Sequence, residues 1–158
     1  MDVDVVKKQI AIHLDGGKAF MPIQNLITEI PFGKIGIRPH NLPYSIYELF
    51  YHIVFAQKDI LDYSNSKDYS AANWPKDYWP DNQKPHNEKE WEDLKAQFFQ
   101  DRESLKCFFT SEENALDDVV LNSTEHTIIR QVLLVIEHNA YHAGQLLLLS
   151  RLLKIHDN

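Results

Sequence analysis

The final third of the chain carries the pattern that most limits its fold. In HTIIRQVLLVIEHNAYHAGQLLLLSRLL, residues Ile128, Val132, Val135, Asn139, His142, Leu146, Leu149 and Leu153 recur in alternating steps of four and three. On an α-helix that spacing lines them up in one stripe. A helix with such a face has to bury it against neighbouring elements. The strict apolar and polar alternation of half-buried strands is hard to find anywhere in the chain, so the neighbours are expected to be helices too.

Three further regions supply them. Val3 to Leu14 has helical spacing and stops at Gly16-Gly17, a C-cap signal. The pattern resumes from Ala19 to Ile30 before Pro31, either as a second helix or as the continuation of a kinked one. PFGKIGIRPHNLP, with three prolines and two glycines, reads as a connection. Ser45 and Glu48 then form a capping-box pair that starts a helix with Ile46, Leu49, Ile53, Ala56 and Ile60 on its inner face. NWPKDYWPDNQKPHNEKEW cannot hold a regular helix before about Asn87, and connections of this length are often functional, as lids for example. A third long helix follows with Trp91, Leu94, Phe98, Leu105 and Phe108 as its buried stripe, and the last helix is expected from near Thr124 to about Lys154. Four long helices without strands imply an all-α four-helix bundle, one domain over residues 1–158.

Composition narrows the function. With 16 Lys and Arg against 23 Asp and Glu the net charge is −7, and no basic block reverses it locally, which argues against nucleic-acid binding. The acidic N-terminus lacks a signal-peptide pattern, and Glu137, His138, His142 and Gln145 interrupt the last apolar run well short of a membrane span. Cys107 is the only cysteine, which excludes an intrachain disulfide and suits a reducing, cytoplasmic setting; it is expected to be a small buried apolar residue.

Two histidines break the last stripe. His142 lies in it, and His138 lies one turn earlier on its shoulder, so both rings should face the bundle interior. Buried imidazoles need partners, and two one turn apart can converge on a single divalent cation. His52, between Leu49 and Ala56 on the inner face of its helix, is the best third ligand. The alternative is a set of core histidines satisfied by carbonyls or carboxylates, with Glu48 and Glu137 as the nearest acids in sequence. His13, His40, His86, His126 and His156 lie in loops, near ends or off the stripe. Asn139 stands where a zincin would need glutamate, no Glu precedes any His by three residues as a di-iron bundle requires, and Walker, Gly-x-Gly-x-x-Gly and Gly-x-Ser-x-Gly motifs do not occur.

LPYSIYELFYHIVFAQKDILDYS, NWPKDYWP and the final helix together resemble the DinB/YfiT-like superfamily over nearly the whole chain, the final segment most specifically. The resemblance implies a four-helix bundle, often a homodimer, in which three histidines bind a divalent ion such as nickel, zinc or iron. In this sequence those positions fall on His52, His138 and His142. Characterised relatives include S-transferases that use low-molecular-weight thiols such as bacillithiol, and a mycothiol-dependent maleylpyruvate isomerase.

The expectation is therefore a divalent-metal-dependent enzyme, either an S-transferase acting on a low-molecular-weight thiol and a small electrophile or a hydrolase using metal-activated water. The competing one is a non-enzymatic metal- or ligand-binding stress-response protein. Asn139, Tyr141 and Gln145 are candidates for orienting ligands or substrate, against a commoner role as interhelix hydrogen-bonders. Trp74, Tyr78, Trp79 and Trp91 could line a pocket mouth, although covering a bundle end is the more ordinary use of such aromatics.

Overall fold

The computed structural model describes residues 2–156. Five α-helices account for the fold: α1 (Val3–Asp15), α2 (Ile23–Thr28), α3 (Ile46–Asn65), α4 (Glu88–Thr110) and α5 (Ile128–Leu152). Among the described residues, extended pairing is limited to one bridge between Val119 and Thr127. The all-α bundle expected from periodicity is what the chain forms.

Local chemistry explains most of the boundaries. Asp2 caps α1 by accepting from the amides of Asp4 and Val5, and Gly16 and Gly17 end it at φ of 80° and 84°, a region that disfavours any side chain. The first two apolar stretches are therefore separate helices, and α2 is only six residues long. At the start of α3 the Ser45 hydroxyl accepts from the Glu48 amide at 3.2 Å while Glu48 accepts from the Ser45 amide at 2.8 Å, completing the capping box. Asn87 caps α4 through the Glu90 amide. Within α4 the inward positions are Leu105 and Phe109, so Phe108 is only half-buried and Cys107 is exposed, contrary to the expectation of a buried thiol.

The start of α5 also differs from expectation. Residues 124–127 are not helical: the Val120 amide donates to the His126 carbonyl and the Ile128 amide to the Asp118 carbonyl, so the chain turns back on itself before the helix begins. That turn is fastened to the end of α3. Asn122 donates to the carbonyls of Tyr63 and Ser66 at 3.0 and 2.7 Å, and the Leu121 amide donates to the Ser64 carbonyl at 3.0 Å. The C-terminus of α3 thus meets the N-terminus of α5, and the two helices run antiparallel.

The core has two parts. One gathers α2, the first half of α3 and the second half of α5, with Phe50 packed edge-on against Trp91 at 5.2 Å. The other joins Leu14, Leu61, Leu105, Phe109 and Val132 from α1, α3, α4 and α5. Between them lie buried polar residues, Gln57, Arg102 and Asn139. Arg102 donates to the Gln57 side chain at 2.8 Å and to the carbonyl of Leu14, and Gln57 donates to the Phe98 carbonyl at 2.9 Å. One guanidinium therefore ties together α1, α3 and α4. No helix among the described residues is long and apolar enough to cross a membrane.

Candidate metal centre

The antiparallel pairing of α3 and α5 brings His52 opposite His138 and His142. One nitrogen of each ring lies within 4.8 Å of one nitrogen of the others, and His52 Nε2 is 3.1 Å from His138 Nε2. His52 and His142 are buried and His138 is half-buried.

Hydrogen bonds fix how two of the rings are presented. His52 Nδ1 faces the Tyr78 carbonyl at 3.2 Å; a carbonyl only accepts, so in the neutral ring Nδ1 carries the proton and Nε2 the lone pair. His142 Nδ1 likewise faces the Gln145 side-chain oxygen at 2.6 Å, which leaves its Nε2 free. Carbonyl acceptors behind imidazole ligands are the usual means of fixing tautomer and orientation at metal sites. Trp79 lies flat on the His52 ring, with centroids 4.4 Å apart and planes inclined by 3°.

The rings are held neutral. Burial, followed by the proximity of His142, lowers the His52 pKa to about 4, against a smaller opposing effect of the Tyr78 carbonyl. Burial and then the other two rings lower His138 to about 3. Burial also lowers His142, opposed by its hydrogen bond to Gln145. Neutral imidazole is the form that ligates metals. Two imidazole nitrogens bonded to one zinc ion at about 2.0–2.1 Å stand roughly 3 to 3.4 Å apart, which brackets the 3.1 Å pair of His52 and His138. The donor set fits a divalent transition ion.

Beside the histidines is a cavity of about 430 Å³. Ala56, Ile60 and Leu134 supply apolar wall from α3 and α5, and Trp74, Tyr78 and Trp79 close it from the connection before α4. Three of the four aromatics singled out from the sequence therefore line this cavity instead of merely covering a bundle end; the fourth, Trp91, is core. Tyr141 also lines the cavity, although its ring is largely exposed. A larger hollow of about 720 Å³ lies between the segments 32–37 and 82–86, away from the three histidines.

A family model described as the DinB superfamily matches residues 21–146. The chain belongs to the DinB superfamily. No curated protein matches it, and no solved structure does. The stretch matched to the DinB superfamily contains all three clustered histidines and leaves out α1.

Each of the remaining histidines that engages a side chain does so elsewhere. His126 bonds the Tyr63 hydroxyl at 2.9 Å and His86 the Asn82 amide at 3.1 Å. Neither nearby acid satisfies the clustered rings: Glu48 is committed to its capping box and to Arg38, and Glu137 is exposed. Of the three candidate orienting residues, Gln145 acts on His142, Tyr141 borders the cavity, and Asn139 is buried with its amide nitrogen unpartnered. Sequence reasoning missed the Tyr78 carbonyl, and it missed Asp59, which accepts from the hydroxyls of Tyr78 and Tyr69 at 2.7 and 3.2 Å.

Proposed function

We propose that His52, His138 and His142 hold one divalent transition ion, zinc, nickel or iron, and that the protein is a metal-dependent enzyme transferring a low-molecular-weight thiol to a small electrophile. One observation carries the reading: three neutral imidazoles, two with Nδ1 committed to carbonyl oxygens, converge beside an apolar cavity. Three neutral protein ligands are the number found at catalytic sites, where a further position stays exchangeable. When bound, the ion supplies its uncompensated positive charge, which makes a thiol or water at that position more acidic.

The protein's own side chains would do the rest. Tyr78 and Gln145 hold two ligands in their tautomers, and Trp79 keeps the His52 ring from turning. Ala56, Ile60 and Leu134 would hold the apolar part of a substrate that reaches the histidines. The cavity lining offers no serine, threonine or cysteine, the side chains that most often attack carbon, which favours a nucleophile brought in by a co-substrate. A thiol fits that need: its sulfur bonds to the electrophilic carbon while that carbon's bond to chloride or to the epoxide oxygen breaks, and the S–H proton passes to solvent with chloride or to the opened oxygen. Pairing of two copies through the exposed Leu133, Tyr141 and Leu148 of α5 belongs to the same proposal, and a single-chain mass in light scattering would remove it.

The direct test is conjugation of a low-molecular-weight thiol to a chlorinated aromatic or epoxide by purified protein, before and after chelation and metal restoration. Turnover that disappears with chelator and returns with metal is expected. Stoichiometric metal with no turnover would point to the metal-dependent binding or stress-response role instead.

A further inference from the structure

The cavity has two chemically different ends. Asp59 follows His52 by seven residues, two turns or about 10 Å along α3. Leu134 precedes His138 by one turn on antiparallel α5, so it too belongs to the end away from the histidines. The lining includes no lysine or arginine, and Asp59 is its only carboxylate. The hydroxyls of Tyr69 and Tyr78, the donors beside that carboxylate, already bond it. A second anion placed there would meet a like charge, no cation and no hydroxyl donor still uncommitted, an arrangement that disfavours it.

We infer that the cavity selects a small, elongated apolar molecule, aryl or alkyl, whose end remote from the histidines carries no negative charge. The inference rests on the histidine end being the reactive end, and it adds a selection rule: carboxylated thiols and electrophiles are disfavoured relative to uncharged ones of the same shape. Its basis is the charge pattern of this chain's own lining, Asp59 without a compensating cation.

Two compounds differing only at the far end test it: biphenyl-4-methanol and 4′-(hydroxymethyl)biphenyl-4-carboxylate. Both are titrated calorimetrically into the metal-free full-length protein, and cobalt(II) uptake is measured in a separate titration. The uncharged compound is expected to bind at least about tenfold more tightly. Asp59→Asn should shrink the ratio, and Leu134→Lys, at a half-buried position that tolerates a long side chain, should reverse it. Equal or tighter binding of the carboxylate to the unmodified protein, a ratio unmoved by both substitutions, or no binding of either compound would overturn the inference. Cobalt uptake reports on the histidine reading alone and the metal-free affinity ratio on the cavity alone, so failure of one is separable from failure of the other.

Discussion

At the scale of single residues, the site depends on groups behind the histidines as much as on the rings. Gln145 is the partner most open to test, because its side-chain oxygen sets which nitrogen of His142 is free. Gln145→Leu is expected to weaken metal binding by about 10- to 100-fold while leaving the helical circular dichroism unchanged; wild-type affinity would show that this hydrogen bond is incidental. The depressed pKa values of His52 and His138 give a pH dependence in the metal-free protein. Unfolded histidines titrate near 6.5, so above about pH 6.5 neither state takes up protons there. Below it the unfolded chain binds protons that the folded rings refuse, and stability falls until the folded values near 4 and 3 are reached. Urea midpoints should therefore be lower at about pH 5.5 than at about pH 7.5, and a midpoint that rose on acidification would contradict the buried neutral cluster. His52, His138 and His142 were legible in the sequence because each interrupts or flanks a helical stripe. The Tyr78 carbonyl was not, since a backbone group in an irregular connection leaves no periodic trace. Asp59 carries no signal in the sequence either, since its two tyrosine partners, Tyr69 and Tyr78, lie beyond the end of its own helix.

At the scale of elements, boundaries set by explicit chemistry could be anticipated and those set by tertiary contacts could not. The Ser45 and Glu48 box located the start of α3, and the glycine pair located the end of α1. The Ser123 hydroxyl accepts from the Glu125 and His126 amides, but that local turn does not reveal that residues 124–127 fold back toward Asp118 before α5 begins, which depends on attachment to the distant end of α3. Likewise, a run of adjacent aromatics gave Phe108 in place of Phe109, a rotation that only packing against α1 and α5 resolves. The cap is worth testing because it fixes the helix that carries His52. Ser45→Ala should lower the unfolding free energy by about 1 kcal/mol, read from denaturant midpoints, and no loss would mean that packing alone fixes the helix start.

At the scale of the whole molecule, the bundle is joined across its two apolar clusters by buried polar residues. Arg102 is the most heavily used of these: desolvation holds its pKa down to about 10, yet its guanidinium still bonds α1 and α3 from α4. Arg102→Ala strands the Leu14 carbonyl and the Gln57 side chain, and a loss of about 2 kcal/mol or more in urea unfolding is expected; a neutral result would show that water replaces the guanidinium readily. The same architecture lets the antiparallel α3 and α5 bring the three imidazoles together from opposite sides of one cluster. Whether these three rings act together on one ion is decided by titrating cobalt(II) into the metal-free wild-type protein and into His52→Ala, His138→Ala and His142→Ala in parallel. The structure predicts one tightly bound equivalent in the wild type, with the visible d–d bands of a low-symmetry site, and loss of that stoichiometric binding in every variant. Uptake that survives any one of the three substitutions at the wild-type level would contradict it.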